Sequence, residues 1–252
     1  MRVKAVLFDL FDTLLLIKDG ETFYIPALKR LHEFLAKNEV NVSFEEFKRV
    51  YFETRDRLYA ETAKNLEEPH FNVRISQTLQ KLGYDYAVSH PIVNEGTASF
   101  AKEFMHYVVL DDDAIVVLKE LQGKCKLGLV SNFAIPECLR ELLGKFGLEE
   151  FFAVTMVSGT INKRKPSPEI FEKALKALDV DASEAVFVGD TPSMDVEGAK
   201  SFGMRAILIE RNRPAIDGSE LLIYKSPEDD KSIKPDKVIK RLNELLAILE
   251  EC

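Results

Sequence analysis

The sequence predicts an α/β protein built on a doubly wound parallel sheet, with a helical domain inserted after the first strand. Three observations carry this. Short apolar runs rich in Val, Ile, Leu and Phe recur at 3–8, 125–130, 152–157, 185–188 and 205–209, the pattern of strands buried on both faces. Between the later runs lie helical stretches, and regular alternation of strand and helix gives a parallel sheet covered on both sides. From Pro26 to about Val109 this rhythm stops, and the apolar spacing becomes helical.

Taken in order, the run Val3 to Phe8 ends on Asp9, and the segment Asp9-Leu10-Phe11-Asp12-Thr13-Leu14 reads as a strand end followed by a turn. Asp19-Gly20, within Ile17 to Thr22, is a tight-hairpin signal and predicts a small flap beside Asp9. Helices are expected over Leu28 to Leu35, Phe44 to Tyr59, Ile75 to Leu82 and Ile92 to Tyr107. Further helices are expected over Glu137 to Phe146, over Pro168 to Leu178 behind the cap Ser167, and over Met194 to Phe202. Arg211 to Lys234 is polar and rich in Pro and Gly, hence loop, and Pro235 to Leu249 reads as a short strand or cap leading into a last amphipathic helix. The expected division is a Rossmann-like core of residues 1–18 and 110–252, with a flap and helical cap at 19–109.

With 252 residues and 46% hydrophobic content, the chain is long enough for a large core. A net charge of -8 disfavours non-specific binding to nucleic acid. No apolar run reaches transmembrane length, and Asp9 and Asp12 interrupt the N-terminal apolar residues with no small-residue cleavage site after them, so neither a membrane span nor a signal peptide is expected. Cys125, Cys138 and Cys252 form no CxxC pair, which fits a reduced, cytoplasmic protein. A monomer or dimer is expected.

In a parallel sheet, the carboxyl ends of the strands share one rim, where ligands bind. Asp9 follows the first run, Ser131-Asn132 the second, Lys165 lies in the loop after the third, and Gly189-Asp190 follows the fourth. Singly these are ordinary turn and cap residues, and Lys163-Arg164-Lys165-Pro166 alone reads as a solvated basic loop. Together they match phosphoryl transfer through an aspartyl-phosphate: a carboxylate nucleophile, donors to neutralise the phosphoryl oxygens, and a second carboxylate. A Mg²⁺ ion between Asp9 and Asp190 would remove the repulsion between nucleophile and anionic substrate.

These residues resemble the haloacid dehalogenase superfamily, most of whose members are Mg²⁺-dependent phosphatases. Its first motif is similar to Phe8-Asp9-Leu10-Phe11-Asp12-Thr13-Leu14, its second to Leu129-Val130-Ser131-Asn132, its third to Lys165-Pro166-Ser167-Pro168, and its fourth to Gly189-Asp190-Thr191-Pro192-Ser193-Met194-Asp195. The resemblance covers residues 1 to about 210. It implies that Asp9 is nucleophile and metal ligand, that Lys165 assists catalysis, and that Ser131, Asn132 and Lys165 hold the phosphoryl group of a small phosphorylated substrate. It further implies that Asp190 and the backbone carbonyl of Phe11 bind Mg²⁺, with Asp195 supporting the metal or its waters. The helical insertion would be a lid that excludes water.

Phe11 departs from the family pattern, which places there a second Asp that protonates the leaving group and then activates water. Asp12 is the neighbouring carboxylate that could replace it, or simply hydrogen-bond the turn. A metal-independent 2-haloacid dehalogenase is the rival reading, since halide leaves without a proton, and Asp190 opposes it. A catalytically weak, metabolite-binding relative is the third. Arg55, Arg57, Arg74, Lys102, His106 and Tyr107 are lid residues that could touch substrate, while His32, His70, His90 and His106 lack metal-ligand spacing.

Overall fold

The computed structural model describes residues 3–18, 23–211 and 233–249. In chain order the elements are β1 (Ala5–Phe8), β2 (Leu15–Ile17), α1 (Tyr24–Lys37), α2 (Phe44–Thr62), α3 (Phe71–Lys81), α4 (Pro91–Phe104), β3 (Val108–Leu110), α5 (Ala114–Leu121), β4 (Lys126–Ser131), α6 (Pro136–Lys145), β5 (Val154–Val157), α7 (Ser158–Ile161), α8 (Pro168–Leu178), β6 (Ala185–Gly189), α9 (Glu197–Ser201), β7 (Arg205–Ile209), β8 (Lys237–Ile239) and α10 (Glu244–Ile248). Six strands form a parallel sheet in the order β5-β4-β1-β6-β7-β8.

Strand periodicity sends alternate side chains of this sheet to two separate cores. Val6 and Phe8 of β1 join Val186 and Val188 of β6 and the inner faces of α5 and α6, including Val117, Leu118, Leu139 and Leu142. Ala5 and Leu7 join Phe187 against Ile170, Phe171 and Leu175 of α8 and Ala199 of α9. Both faces are therefore covered, as the continuous apolar runs require. Burial of a side chain such as Phe8, 0% exposed, contributes roughly 1.5–3 kcal/mol. Ser167 caps α8 as expected, its Oγ accepting from Glu169 N–H at 3.4 Å, with Pro168 at the first helical position.

Helices α1 to α4 fill residues 24–104, and their apolar faces pack together: Leu28, Leu31 and Leu35 of α1 lie among Phe47 and Tyr51 of α2, Ile75 and Leu79 of α3, and Val93 and Phe100 of α4. A side chain at Gly96 would bring its Cβ to 2.9 Å from Leu31 Cδ1, so glycine there lets α4 approach α1. Ser43 caps α2.

The sequence reading does not anticipate β3, which pairs antiparallel with β2 so that Leu15 faces Leu110 and Ile17 faces Val108. This two-stranded ribbon frames the entry to and exit from the helices. The Asp19-Gly20 hairpin turn lies outside the described residues, as does nearly all of the expected loop Arg211 to Lys234. The tail does contain a short strand, β8, followed by α10. Free thiols are expected throughout. Cys138 is free and buried, but Cys125 is disulfide-bonded, against the expectation of reduced thiols. No helix among the described residues is long and apolar enough to cross a membrane.

Candidate active site

Asp9 follows β1 directly, and its N–H donates to Val188 O of β6 at 2.9 Å. The chain then turns sharply. Leu14 and Leu15 N–H both donate to Leu10 O at 2.9 Å, and Asp12 adopts a left-handed φ of 61° with its N–H on Leu15 O. Asp carries this conformation more readily than a β-branched residue would. Ser131 ends β4, Asp190 follows β6, and Lys165 lies between α7 and α8. These residues, with Phe11, Asp12, Asn132 and Asp195, line one cavity of about 320 Å³.

Lys165 is 2% exposed, and its Nζ lies 2.5 Å from Asp9 Oδ1 and 2.7 Å from Asp195 Oδ1. Burial pushes its ammonium toward neutrality, but Asp195 and Asp9 outweigh that effect and raise its pKa above the usual lysine value. One oxygen from each of Asp9, Asp190 and Asp195 lies within 4.8 Å of the others. Three carboxylates thus crowd around a single ammonium. Burial, opposed by Lys165 and reinforced by Asp195, pushes the Asp9 carboxyl up to about 6. Asp190 is pushed well above the usual carboxylate range by burial and by the charges of Asp195 and Asp9.

Asp195 is placed by a π-helical turn, Pro192–Val196, in which its N–H donates to Thr191 O at 2.8 Å while its Oδ2 accepts from Thr191 N–H at 2.9 Å. Such single π turns frequently mark functional positions. Gly189 makes this possible, because a methyl group there would overlap the Asp195 carboxylate. Asn132 embraces the backbone of Lys165: its Oδ1 accepts from Lys165 N–H at 2.7 Å and its Nδ2 donates to Lys165 O at 3.0 Å. Both ends of its amide are therefore committed to positioning the lysine. Ser131 Oγ is fully buried and has no hydrogen-bond partner. A buried hydroxyl without a partner is a departure from the usual satisfaction of buried polar groups.

The Phe11 side chain points into an aromatic wall, with ring centroids 4.9 Å from Phe133 and 5.7 Å from Phe104. Phe104 in turn lies 5.0 Å from Phe23. Further lining comes from Tyr24, Tyr59, Phe71, Arg74 and Phe100 of the helices and from Glu68 in the loop between α2 and α3.

Of the six lid residues proposed from sequence, Arg74 lines this cavity, whereas Arg55, Arg57, Lys102, His106 and Tyr107 are not among its described lining. Arg55, whose side chain is mostly buried against Phe52, is paired with Asp56, and Arg57 on the outer face of α2 with Glu61. The sequence reading misses Tyr24, Tyr59, Glu68 and Arg164. Arg164 is 1% exposed, not solvated as its basic neighbours suggest. Its guanidinium donates to Thr62 Oγ1 at 3.2 Å, to Thr62 O at 3.3 Å and to Glu67 O, and its N–H donates to Leu66 O at 2.9 Å. These bonds fasten the loop between α2 and α3 to the residue before Lys165. Phe71 N–H on Ala134 O, at 2.9 Å, is a second fastening.

The family model of haloacid dehalogenase-like hydrolases matches residues 3–203, and a second HAD-hydrolase-like model matches 162–245. The chain is 27% identical over 251 residues to the glyceraldehyde 3-phosphate phosphatase of Pyrococcus furiosus, covering 99% of this chain and 94% of that one. It is 33% identical over 113 residues to the phosphoserine phosphatase of Thermus thermophilus, a match that spans only 45% of either chain. The solved 2-haloacid dehalogenase of Pseudomonas syringae superposes with a TM-score of 0.71 at 27% identity, covering 98% of this chain and 97% of that one. With the family's sequence pattern running through most of the chain and its fold present in full, this protein belongs to the haloacid dehalogenase-like hydrolases.

Proposed function

We propose that the protein is a Mg²⁺-dependent phosphatase of small phosphorylated metabolites, with Asp9 as nucleophile. The observation that carries this reading is the convergence of Asp9, Asp190 and Asp195 around one lysine. Three carboxylates against one ammonium leave an excess of buried negative charge, and a divalent cation is what such a donor set fits. Asp9 and Asp190, with the Phe11 carbonyl, would hold Mg²⁺, and Asp195 would support it. When bound, the ion supplies charge neutralisation to nucleophile and phosphoryl group alike.

The protein's own groups account for the remainder. Asp9 attacks phosphorus, the ester oxygen departs, and water then cleaves the aspartyl-phosphate to release phosphate and restore the carboxylate. Lys165, oriented by Asn132 and Asp195, faces the developing charge of the phosphoryl oxygens, and Ser131 Oγ offers a hydrogen bond. The helices over residues 24–104 serve as a cap that keeps bulk water out. Phe11 can neither protonate the leaving group nor activate water, a loss of roughly 10²- to 10⁴-fold, or about 3–5 kcal/mol. Substrates whose leaving group needs no proton, such as aryl, enol or acyl phosphates, are therefore favoured over alkyl phosphates. Asp12 lines the same cavity, and its carboxylate would take the part of the missing acid in the hydrolytic half-reaction.

Phe11 and the likeness to the Pseudomonas syringae enzyme also favour a second reading, metal-independent dehalogenation of a small 2-haloacid. Asp190 opposes it, because a third carboxylate would repel a carboxylate substrate with no cation to offset it. The deciding experiment is a panel of phosphate esters and haloacids with and without Mg²⁺, read for phosphate and chloride, with Asp9→Asn as control. Mg²⁺-dependent phosphate release is expected; metal-independent chloride release would reverse the assignment. Equal rates on simple alkyl and aryl phosphates would refute the leaving-group argument.

A further inference from the structure

The cavity lining carries two chemically different groups of residues. One is the acidic cluster already described. The other is the helical wall, where three rings surround Arg74 of α3: its guanidinium carbon lies 5.2 Å from the ring centroid of Tyr59, 5.3 Å from Phe71 and 5.8 Å from Tyr51. Arg74 is 7% exposed, and its Nη1 donates to Tyr51 Oη at 3.1 Å and Tyr24 Oη at 3.3 Å, while Nη2 donates to Tyr59 Oη at 3.2 Å.

All three of these acceptors are phenols. Burial raises the pKa values of Tyr24 and Tyr59 above the usual tyrosine value, so both stay uncharged at neutral pH. Arg74 Nε is buried and has no hydrogen-bond partner. Glu68 is the nearby carboxylate, but it feels Arg164 as well as Arg74, so one acid faces two guanidinium groups. Among the described ion pairs none joins Arg74 to a carboxylate. A guanidinium in a cavity wall whose hydrogen-bond partners are all neutral phenols is costly, and a planar anion with two acceptor oxygens is what its fork geometry fits. The same cavity is also lined by the rings of Phe11, Phe71, Phe100, Phe104 and Phe133.

We propose that Arg74, in its cage of tyrosines, is the receptor for a carboxylate on the substrate's leaving group. The substrates are then phosphate monoesters whose ester oxygen is joined through a flat, apolar, ring-sized body to a carboxylate. This rests on the phosphatase reading for what happens at phosphorus, but the receptor can be tested without turnover.

Two esters of equal shape separate the possibilities: 4-carboxyphenyl phosphate and 4-carbamoylphenyl phosphate, each with Mg²⁺. The full chain is expected to prefer the carboxylate in kcat/KM by about 10- to 100-fold, mainly through KM, as a charge-assisted bidentate contact implies. In Arg74→Gln the ratio should collapse toward one, and in Arg74→Lys, which keeps the charge but loses the fork, it should fall between. Calorimetric titration of the wild-type protein with 4-hydroxybenzoate and with 4-hydroxybenzamide gives a readout independent of catalysis and of how well the variants fold. Tighter binding of the benzoate is expected. Equal turnover of the two esters, equal binding of the two phenols, or a preference that survives Arg74→Gln overturns the receptor and leaves the phosphatase assignment standing. Absence of phosphate release from both esters, with the benzoate still preferred, overturns the phosphatase assignment and supports the receptor.

Discussion

The ring of Phe11 rests 4.9 Å from that of Phe133, so the side chain two residues beyond the nucleophile is engaged in holding the cavity wall. Replacing it therefore tests chemistry and packing at once. Phe11→Asp should raise hydrolysis of alkyl phosphates, by as much as about 10²-fold, with a much smaller effect on aryl phosphates. It also removes two ring pairs, each contributing roughly 0.5–1.5 kcal/mol, so urea unfolding should show a loss on that scale. An equal gain on alkyl and aryl esters would contradict the proposed role of the missing acid.

Metal binding should depend on pH in a defined direction. Asp9 titrates near 6 in the fold against 3.8 ordinarily, so the native state binds more protons than the unfolded chain between those values. Metal-free stability contributed by this group consequently falls as pH rises through that window. Mg²⁺ competes with those protons, so its stabilising effect should grow over the same range. Thermal melts at pH 5, 6 and 7 in EDTA and in Mg²⁺ should diverge as pH increases; parallel curves would count against the acidic cluster as the metal site.

Asp190 takes no part in the ion pairs of Lys165, yet it carries the repulsion of Asp9 and Asp195. Asp190→Asn should therefore raise the Tm of the metal-free protein at pH 7 by several degrees, since about 1 kcal/mol moves Tm by roughly 2–4 °C in a chain of this size. The same variant should lose both Mg²⁺-induced stabilisation and activity. A lower metal-free Tm would show that the carboxylates are not in electrostatic conflict.

Lys165→Met leaves two buried carboxylates without their cation. Removing one partner of a buried pair costs roughly 3–5 kcal/mol, and here Mg²⁺ should restore part of that stability without restoring turnover. Denaturant titrations with and without the ion measure both effects, and a loss indifferent to Mg²⁺ would argue that the lysine and the metal do not share the same charges.

Gly189→Ala tests how tightly Asp195 is placed. The added methyl overlaps its carboxylate, so Asp195 must move, and with it the Lys165 contact. Displacement of about 1 Å in such an array can cost about 10²-fold in rate. Activity near wild type would mean that Asp195 is dispensable.

The sheet and the strand-end residues were legible because both follow from local pattern plus one topological rule. Runs such as Ala-Val-Leu-Phe before Asp9 announce a doubly buried strand, and parallel strands bring their following residues to one rim. The ribbon of β2 and β3 was not legible, since three residues are too few to show alternation and the partners lie far apart in sequence. Arg164 was misread for a related reason. Its acceptors are Thr62 and the carbonyls of residues 62, 66 and 67, nearly a hundred positions away, and nothing in Lys163-Arg164-Lys165 reports them. Tyr59 and Glu68 likewise owe their place in the wall to how α2 and α3 meet, which apolar spacing alone does not disclose.

Arg164 and Lys165 are consecutive, and this joins two events in time. If the loop between α2 and α3 lifts away, Thr62 and Glu67 lose their donor, and the strain passes along one peptide to the residue that Asn132 holds beside Asp9. The lysine is then in register only while the loop is down. Under the phosphatase reading, that link would let the site idle with the loop raised, its charged array slackened, and would assemble its reactivity on closing over a guest.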